Sequence, residues 1–271
     1  MGIRDIKDKV VLITGGGRGI GRETALLFVR EGAKVVISDI DTEALASTEA
    51  KLLRHSSDVL AVQGDVTSHD DAERLFRKID ERFGRLDVLI NNAGLSSRGV
   101  FAETSLEVFE TIVRANLLGS VIMTKTALPL IRASRGSIVF ISSIAGLRGL
   151  PGGAPYCASK MALKSFSESI RCELMNDGVH VGLIYLSFTQ NDPEKTFYTG
   201  DGTVTILRQY KFSLTQVQVA RGILKMIIKR RSVKVLSALG KLIRVAYALL
   251  PRVSEFALAK QALKTNLYKT E

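Results

Sequence analysis

The sequence predicts an α/β fold: a doubly wound parallel sheet of about seven strands with helices on both faces, and a basic amphipathic helical extension at the C-terminus. Three observations predict it. Short β-branched runs alternate with longer amphipathic segments. The runs are apolar almost throughout, as strands covered on both faces must be. The first run ends in a glycine-rich turn that opens directly into a helix.

Taken in order, the strands fall at 9–14 (KVVLIT), 34–38 (KVVIS), 59–63 (VLAVQ), 86–91 (LDVLIN), 137–142 (SIVFIS) and 179–186 (VHVGLIYL). Between them lie helical patterns such as 70–84, which sets Ala72, Leu75, Phe76, Ile79 and Phe83 on one stripe and stops at Gly84. Right-handed crossovers follow from the repeated β–α order. A helix at 215–229 and a seventh strand at 233–236 complete the pattern. Residues 237–271 form the extension, with Leu239, Leu242, Ile243, Ala246 and Leu250 on one helical face and Lys241 and Arg244 away from it. No uninterrupted apolar run there reaches the ~18 residues needed to span a bilayer.

At 271 residues and 46% hydrophobic content the chain can bury a full core, and no composition break or linker divides it. The expectation is one domain over 1–271, with 237–271 as its extension. The start lacks an apolar run before a small-residue cleavage site, and Ile6 stands where a myristoylation signal needs Ser or Thr. The fold is therefore expected to begin at the N-terminus. Cys157 and Cys172 lie in one helical segment without the spaced pairs of a zinc or disulfide framework, which fits a cytoplasmic setting. His55, His69 and His180 show no ligand spacing, so no metal site is expected.

Of the net charge of +11, +10 falls between Arg221 and Glu271, where 12 Lys/Arg face two Glu. Neither a nucleic-acid-binding module nor stacking aromatics accompany it, so nucleic acid is not expected as a partner. Two readings of the tail compete: a basic helix lying on an anionic membrane, or a helix packed over the substrate cleft or a subunit interface.

Ligands of a doubly wound sheet bind at the carboxyl ends of its strands. There the first strand runs into TGGGRGIGRE. The G-x-G-x-x-G spacing fails in every register, and T-G-x-x-x-G-x-G fits instead, with Thr14, Gly15, Gly19 and Gly21 at the fixed positions and Arg18 and Ile20 between them. Such a Rossmann-type turn lets backbone approach a pyrophosphate, and the helix N-terminus adds free N–H groups and partial positive charge. Asp39 ends the second strand, where a carboxylate accepts hydrogen bonds from the adenosine ribose and repels a 2′-phosphate. It favours NAD over NADP, whereas Arg18 could offer a cation to that phosphate; Asp39 weighs more because it opposes the phosphate directly.

Tyr156 and Lys160 stand four residues apart, one helical turn, a spacing common by chance. It gains meaning from its company. TGGGRGIG (14–21), GDV (64–66), NNAG (91–94), ANLLG (115–119), ISS (141–143) and YCASK (156–160) together resemble the short-chain dehydrogenase/reductase family, in its shorter single-domain branch, in order and spacing over about 10–186.

The resemblance implies an oxidoreductase that moves hydride between a nicotinamide cofactor and a secondary alcohol or ketone. In it Tyr156 is the general acid/base. Lys160 stabilises the phenolate, since an opposite charge within about 4–6 Å can lower an acid's pKa by one to three units, and also holds the nicotinamide ribose. Ser143 hydrogen-bonds the substrate oxygen, and Asn116 anchors a water behind the lysine. Asp65 and Val66 lie against adenine, and Asn92, Ala93 and Gly94 form the turn beside the cofactor. Cys157, about 100° around the helix from Tyr156, is expected to be a packed thiol. Association as a homodimer or homotetramer, through the helices carrying Asn116 and Tyr156, is also implied.

The pattern breaks after the sixth strand. Leu186 and Ser187 stand at the family's Pro-Gly, and Asn191 at the threonine that contacts the nicotinamide amide, with Thr189 nearby. A rearranged or mobile substrate loop over 187–210 is expected. The sequence thus points to an NAD-preferring enzyme for a lipophilic substrate such as a steroid, retinoid or long-chain alcohol. Two alternatives stand beside it: an NADPH-dependent carbonyl or 3-oxoacyl reductase, and a catalytically weak nucleotide-binding or membrane-associated protein.

Overall fold

The structure, a computed structural model, describes residues 5–190, 192–206 and 214–264. Seven parallel strands form the central sheet: β1 (Val10–Thr14), β2 (Lys34–Asp39), β3 (Val59–Gln63), β4 (Val88–Asn91), β6 (Ser137–Ser143), β7 (His180–Leu186) and β10 (Val233–Val235). Their spatial order is β10-β7-β6-β4-β1-β2-β3, so the winding reverses between β1 and β4. A ligand crevice opens at that reversal, above the carboxyl ends of the strands.

Alternate residues of each strand feed opposite cores. Val11, Ile13, Val35, Ile37 and Ile184 pack against α1 (Gly19–Arg30), α2 (Thr42–Leu53) and α7 (Gln216–Ile228). Leu12, Val36, Leu89, Phe140 and Leu183 pack against α3 (His69–Phe83), α5 (Gly119–Ser134) and α6 (Ala154–Glu173). This double burial is why the strands read as apolar runs. Each fully buried Leu or Ile contributes about 1.5–3 kcal/mol, so a charge at Ile13, which is wholly buried, would break the sheet's centre.

Caps set the helix ends the sequence pattern indicates. Ser68 accepts from the Asp71 N–H at the start of α3, and Gly84 ends it in the left-handed conformation at φ +64°. Thr215 and Gln218 form a capping box at α7. α4 (Leu106–Val113) is joined to α5 by a π-helical turn, Arg114–Leu118.

One expectation is corrected, and the helical extension is resolved into its parts. Segment 187–210 is not only loop: β8 (Thr196–Thr199) and β9 (Val204–Ile206) form a hairpin, and β8 also pairs with β5 (Ser97–Arg98). The β-branched and aromatic run TFYT, followed by Asp201 and by Gly202 at φ +92°, is an ordinary hairpin signal. Asn191 and residues 207–210 of that segment lie outside the described residues. The C-terminal extension is two helices, α8 (Ala238–Leu249) and α9 (Pro251–Lys264), because Pro251 cannot donate into the preceding turn. Its expected apolar face divides: Ile243 and Ala246 are partly buried, while Leu239, Leu242 and Leu250 are exposed.

Candidate active site

The glycine turn is locked from both sides. Gly15 and Gly19 adopt φ +62° and +55°. At Gly21 an added Cβ would lie 1.9 Å from the Gly15 carbonyl oxygen, so only glycine lets α1 start so close to β1. The Thr14 hydroxyl accepts from the N–H groups of Asn92 (3.0 Å) and Ala93 (3.1 Å), and the Asn92 amide donates to the carbonyls of Thr14 (2.9 Å) and Gly15 (3.0 Å). The ends of β1 and β4 are thereby clamped together.

Acidic groups surround the turn. Asp39 accepts from the Gly17 N–H at 2.9 Å and the Asp41 N–H at 3.1 Å. Arg18 pairs with Asp41 and, at 3.5 Å, with Glu194. Asp192 reaches back from the segment after β7: its Oδ2 accepts from the Gly19 N–H at 3.2 Å and pairs with Arg22 at 3.2 Å. Ile20 occupies the second position of α1 and is partly buried. Gly17, Arg18, Arg22, Asp41, Asp192 and Glu194 line an open pocket here. Asp65, beyond β3, receives a bond from Thr67 and donates its N–H to Asp71, while Val66 faces Gly119.

Across the crevice, β6 ends in Ser143 and α6 presents Tyr156 and Lys160. The Tyr156 hydroxyl is hydrogen-bonded to Ser143. Lys160 is buried; its Nζ donates to the Ile141 carbonyl at 3.1 Å and lies 5.9 Å from the centre of the Tyr156 ring. The Ser142 hydroxyl points the other way and donates to the Lys160 carbonyl at 3.0 Å. Asn116, fully buried in the π-turn, accepts from the Leu95 N–H at 2.7 Å and donates to the Leu95 carbonyl at 3.0 Å and the Ser159 hydroxyl at 2.9 Å. Gly94 sits between the two: an added Cβ would stand 2.7 Å from Asn116 Oδ1 and 3.2 Å from Lys160 Nζ. Cys157 is buried, a packed thiol whose pKa burial pushes up.

The electrostatics differ from the simple expectation that Lys160 lowers the tyrosine. Burial raises the Tyr156 phenol, and the bond with Ser143 only partly opposes it. Burial, then the charge of Lys195, brings Lys160 down to about 8. The cause is geometric: the Lys160 ammonium is directed at a backbone carbonyl and the ring, which do not offset the cost of its burial.

Sequence reasoning missed four residues here: Asp41, Asp192, Glu194 and Lys195. Three of them lie in the run Asp-Pro-Glu-Lys at 192–195, immediately after the departure from Pro-Gly. The charged run is visible in the sequence, but its place beside the glycine turn is set by the fold of the segment after β7. Elsewhere, the exposed His69, Asp70 and Glu73 bring ligand atoms within 4.8 Å of one another at the start of α3. His69 and Glu73 lie 3.5 Å apart there, one helical turn apart on the surface.

The cradle fits a dinucleotide. Glycine is required at Gly21 and Gly94, N–H groups open α1, and the Ser143–Tyr156 pair stands at the opposite wall. Fold and site together define a nucleotide-binding α/β protein with a hydroxyl pair and a buried lysine at its crevice. The family profile described as short chain dehydrogenase matches residues 9–200, and the chain belongs to the short-chain dehydrogenase/reductase family, oxidoreductases acting on alcohol and ketone groups.

Three relatives and one solved structure illustrate this. An uncharacterized oxidoreductase of Thermotoga maritima is 36% identical over 189 residues, 69% of this chain and 74% of that protein. Human dehydrogenase/reductase SDR family member 7 is 33% identical over 74% of this chain, which spans only 61% of its length. A 3-oxoacyl-[acyl-carrier-protein] reductase of Synechocystis is 33% identical over 68% of this chain and 75% of that protein. A short chain dehydrogenase/reductase from Burkholderia phymatum, solved in complex with NAD, superposes with a TM-score of 0.79 at 25% identity, covering 90% of this chain and 94% of that one.

Proposed function

We propose that this chain is an NAD-preferring dehydrogenase/reductase that interconverts a lipophilic secondary alcohol and its ketone, with Tyr156 moving the proton. The observation that carries the reading is the convergence of Ser143, Tyr156 and Lys160 on the crevice beside the glycine turn. Gly15 to Gly21, Asp39 and Asn92 to Gly94 would hold the dinucleotide, with Asp65 and Val66 toward its adenine. When bound, it supplies or accepts the hydride. Ser143 orients the substrate oxygen by a hydrogen bond. Tyr156, neutral at pH 7, donates its proton to that oxygen during reduction and recovers it in the reverse direction. Lys160, charged below about pH 8, offsets the negative charge that develops on the phenol oxygen. Asn116 holds the Leu95 backbone and Ser159 in place beside that lysine.

Cofactor preference follows from charge. Asp39 and Asp41 stand beside the turn, and Arg18 is engaged by Asp41 and Glu194 rather than offered to a 2′-phosphate. A lipophilic substrate is supported by α8, whose Gly240 lies against Ile144 in the turn after Ser143, so that this helix, with its exposed Leu242, Val245 and Leu249, starts beside the cleft.

One contact favours a second reading, a nucleotide-binding protein of weak turnover: the Asp192 carboxylate already occupies the Gly19 N–H and Arg22. Fluorescence titration with NADH and NADPH, followed by turnover on a panel of steroid, retinoid and long-chain alcohols, tests both readings. The proposal expects tighter NADH binding and measurable turnover. Tighter NADPH binding overturns the cofactor assignment, and absence of turnover across the panel favours the second reading.

A further inference from the structure

The C-terminal helix pair leaves most of its large apolar side chains in water. Where α8 and α9 meet, the Ser254 hydroxyl donates to the Ala246 carbonyl at 3.4 Å. Ser254, Leu258 and Ala262 follow one another at four-residue intervals on the less exposed side of α9, and only Leu258 among them is large. On α8, Leu242, Val245 and Leu249 fall within about 60° of one another at about 100° per residue, and all are exposed, Leu249 at 73%. On α9, Val253, Phe256 and Leu263 fall within about 80° by the same count, and all are exposed, Phe256 at 70%.

Cations accompany this face. Lys241 lies beside the α8 stripe with Arg244 further round, and Arg252 and Lys260 lie one turn either side of Phe256 on α9; all four are exposed. The only acid in 238–264 is Glu255, which is engaged by Arg148 at 3.1 Å. Two stripes of exposed Leu, Val and Phe, one on each helix of the packed pair, forgo the burial that such side chains ordinarily contribute, which implies an outside partner.

We propose that the outward face of α8 and α9 docks in the plane of an anionic phospholipid bilayer surface. Leu242, Leu249 and Phe256 enter the acyl boundary, and Lys241, Arg252 and Lys260 meet the phosphates. No described helix is long and apolar enough to cross a membrane, which leaves the in-plane mode. Charge disfavours a second copy of this chain: a two-fold contact would set these cations against their own equivalents with a single acid per chain, already paired. Closure over this chain's own cleft is also disfavoured, because the opposite face of α8 already packs on Val235 and Ile144. Arg148 ties the pair to the loop beyond Ser143 by its bond to Glu255 and by lying 5.6 Å over the Tyr247 ring. Docking would thus bring the cleft to the lipid surface. The inference concerns a surface and holds whatever the turnover at Tyr156.

The test is flotation of the purified full chain with phosphatidylcholine vesicles, with and without about 30 mol% phosphatidylglycerol, at about 0.05 and 0.5 M salt. The chain should float with the anionic vesicles at low salt and be largely released at high salt. Lys241→Gln, Arg252→Gln and Lys260→Gln combined should lower partitioning about a hundredfold, about fivefold per cation. Leu242→Ser, Leu249→Ser and Phe256→Ser combined should abolish flotation, and unchanged melting of either variant shows that the fold is kept. A wild-type chain that ignores anionic vesicles, or variants that float like wild type, would overturn the proposal. So would a dimer in light scattering that the serine variant dissociates while no form binds vesicles.

Discussion

Replacing Gly94 with alanine tests how closely Asn116 and Lys160 are fitted together. The new methyl would meet Asn116 Oδ1 at 2.7 Å and Lys160 Nζ at 3.2 Å. The lysine is a flexible chain end and can move by a few tenths of an ångström. Asn116 cannot follow as easily, because its Oδ1 is held by the Leu95 N–H at 2.7 Å and its amide by Leu95 and Ser159, with the side chain fully buried. Displacing it sacrifices at least one buried hydrogen bond, about 1–3 kcal/mol. At about 2–4 °C per kcal/mol for a chain approaching this size, thermal unfolding should shift down by roughly 2–12 °C. Because the same methyl displaces Lys160 from Tyr156, kcat should fall by about tenfold or more even at temperatures where the variant is fully folded. Differential scanning fluorimetry and steady-state kinetics on one preparation read both. An alanine variant with wild-type melting and wild-type kcat would refute the packing argument.

Two further outcomes follow from the charges. Asp192→Asn removes a carboxylate from the Gly19 N–H and from Arg22, so an anionic dinucleotide meets less competition at the α1 N-terminus; NADH should bind up to about tenfold tighter in fluorescence titration, and weaker binding would show that Asp192 supports the site instead. Burial, then the charge of Lys195, brings Lys160 down to about 8, so kcat/KM for ketone reduction should hold near neutrality and decline as pH rises through about 8 and the lysine loses its charge. A profile that rises through that window would contradict the role given to Lys160.

Much of the fold was legible because each strand is buried on both faces, leaving continuous apolar runs that alternate with helical stripes. The run 59–63 matches β3 at both ends. β4 starts two residues later than its apolar run because the Asp87 carboxylate turns inward to accept from the Val10 N–H and bind Arg85. The β8–β9 hairpin carried a turn signal at Asp201-Gly202 that the departure from Pro-Gly overshadowed. In the site, Thr14 to Gly21 stood out by their spacing at a strand-to-helix turn, whereas Ser143, Tyr156 and Lys160 were picked out by the resemblance to the family; the structure sets them on the end of β6 and on α6. Asp192, Glu194 and Lys195 were not, since their position depends on how the segment after β7 folds back over α1. The direction of the Tyr156 shift also escaped spacing, which places a lysine nearby but does not report how deeply the phenol is buried. For the C-terminal extension, periodicity identified an apolar stripe, but which side faces the fold was decided by Gly240 and by Pro251, and most of the larger residues turned outward.

The central claim is that Tyr156 carries the proton. Tyr156→Phe keeps the ring and removes only the hydroxyl bonded to Ser143. With an alcohol or ketone that the wild type turns over, the account predicts that kcat falls by at least about a hundredfold, the lower range of general acid–base contributions, while NADH affinity stays within about twofold. Turnover by the phenylalanine variant at the wild-type rate would contradict it.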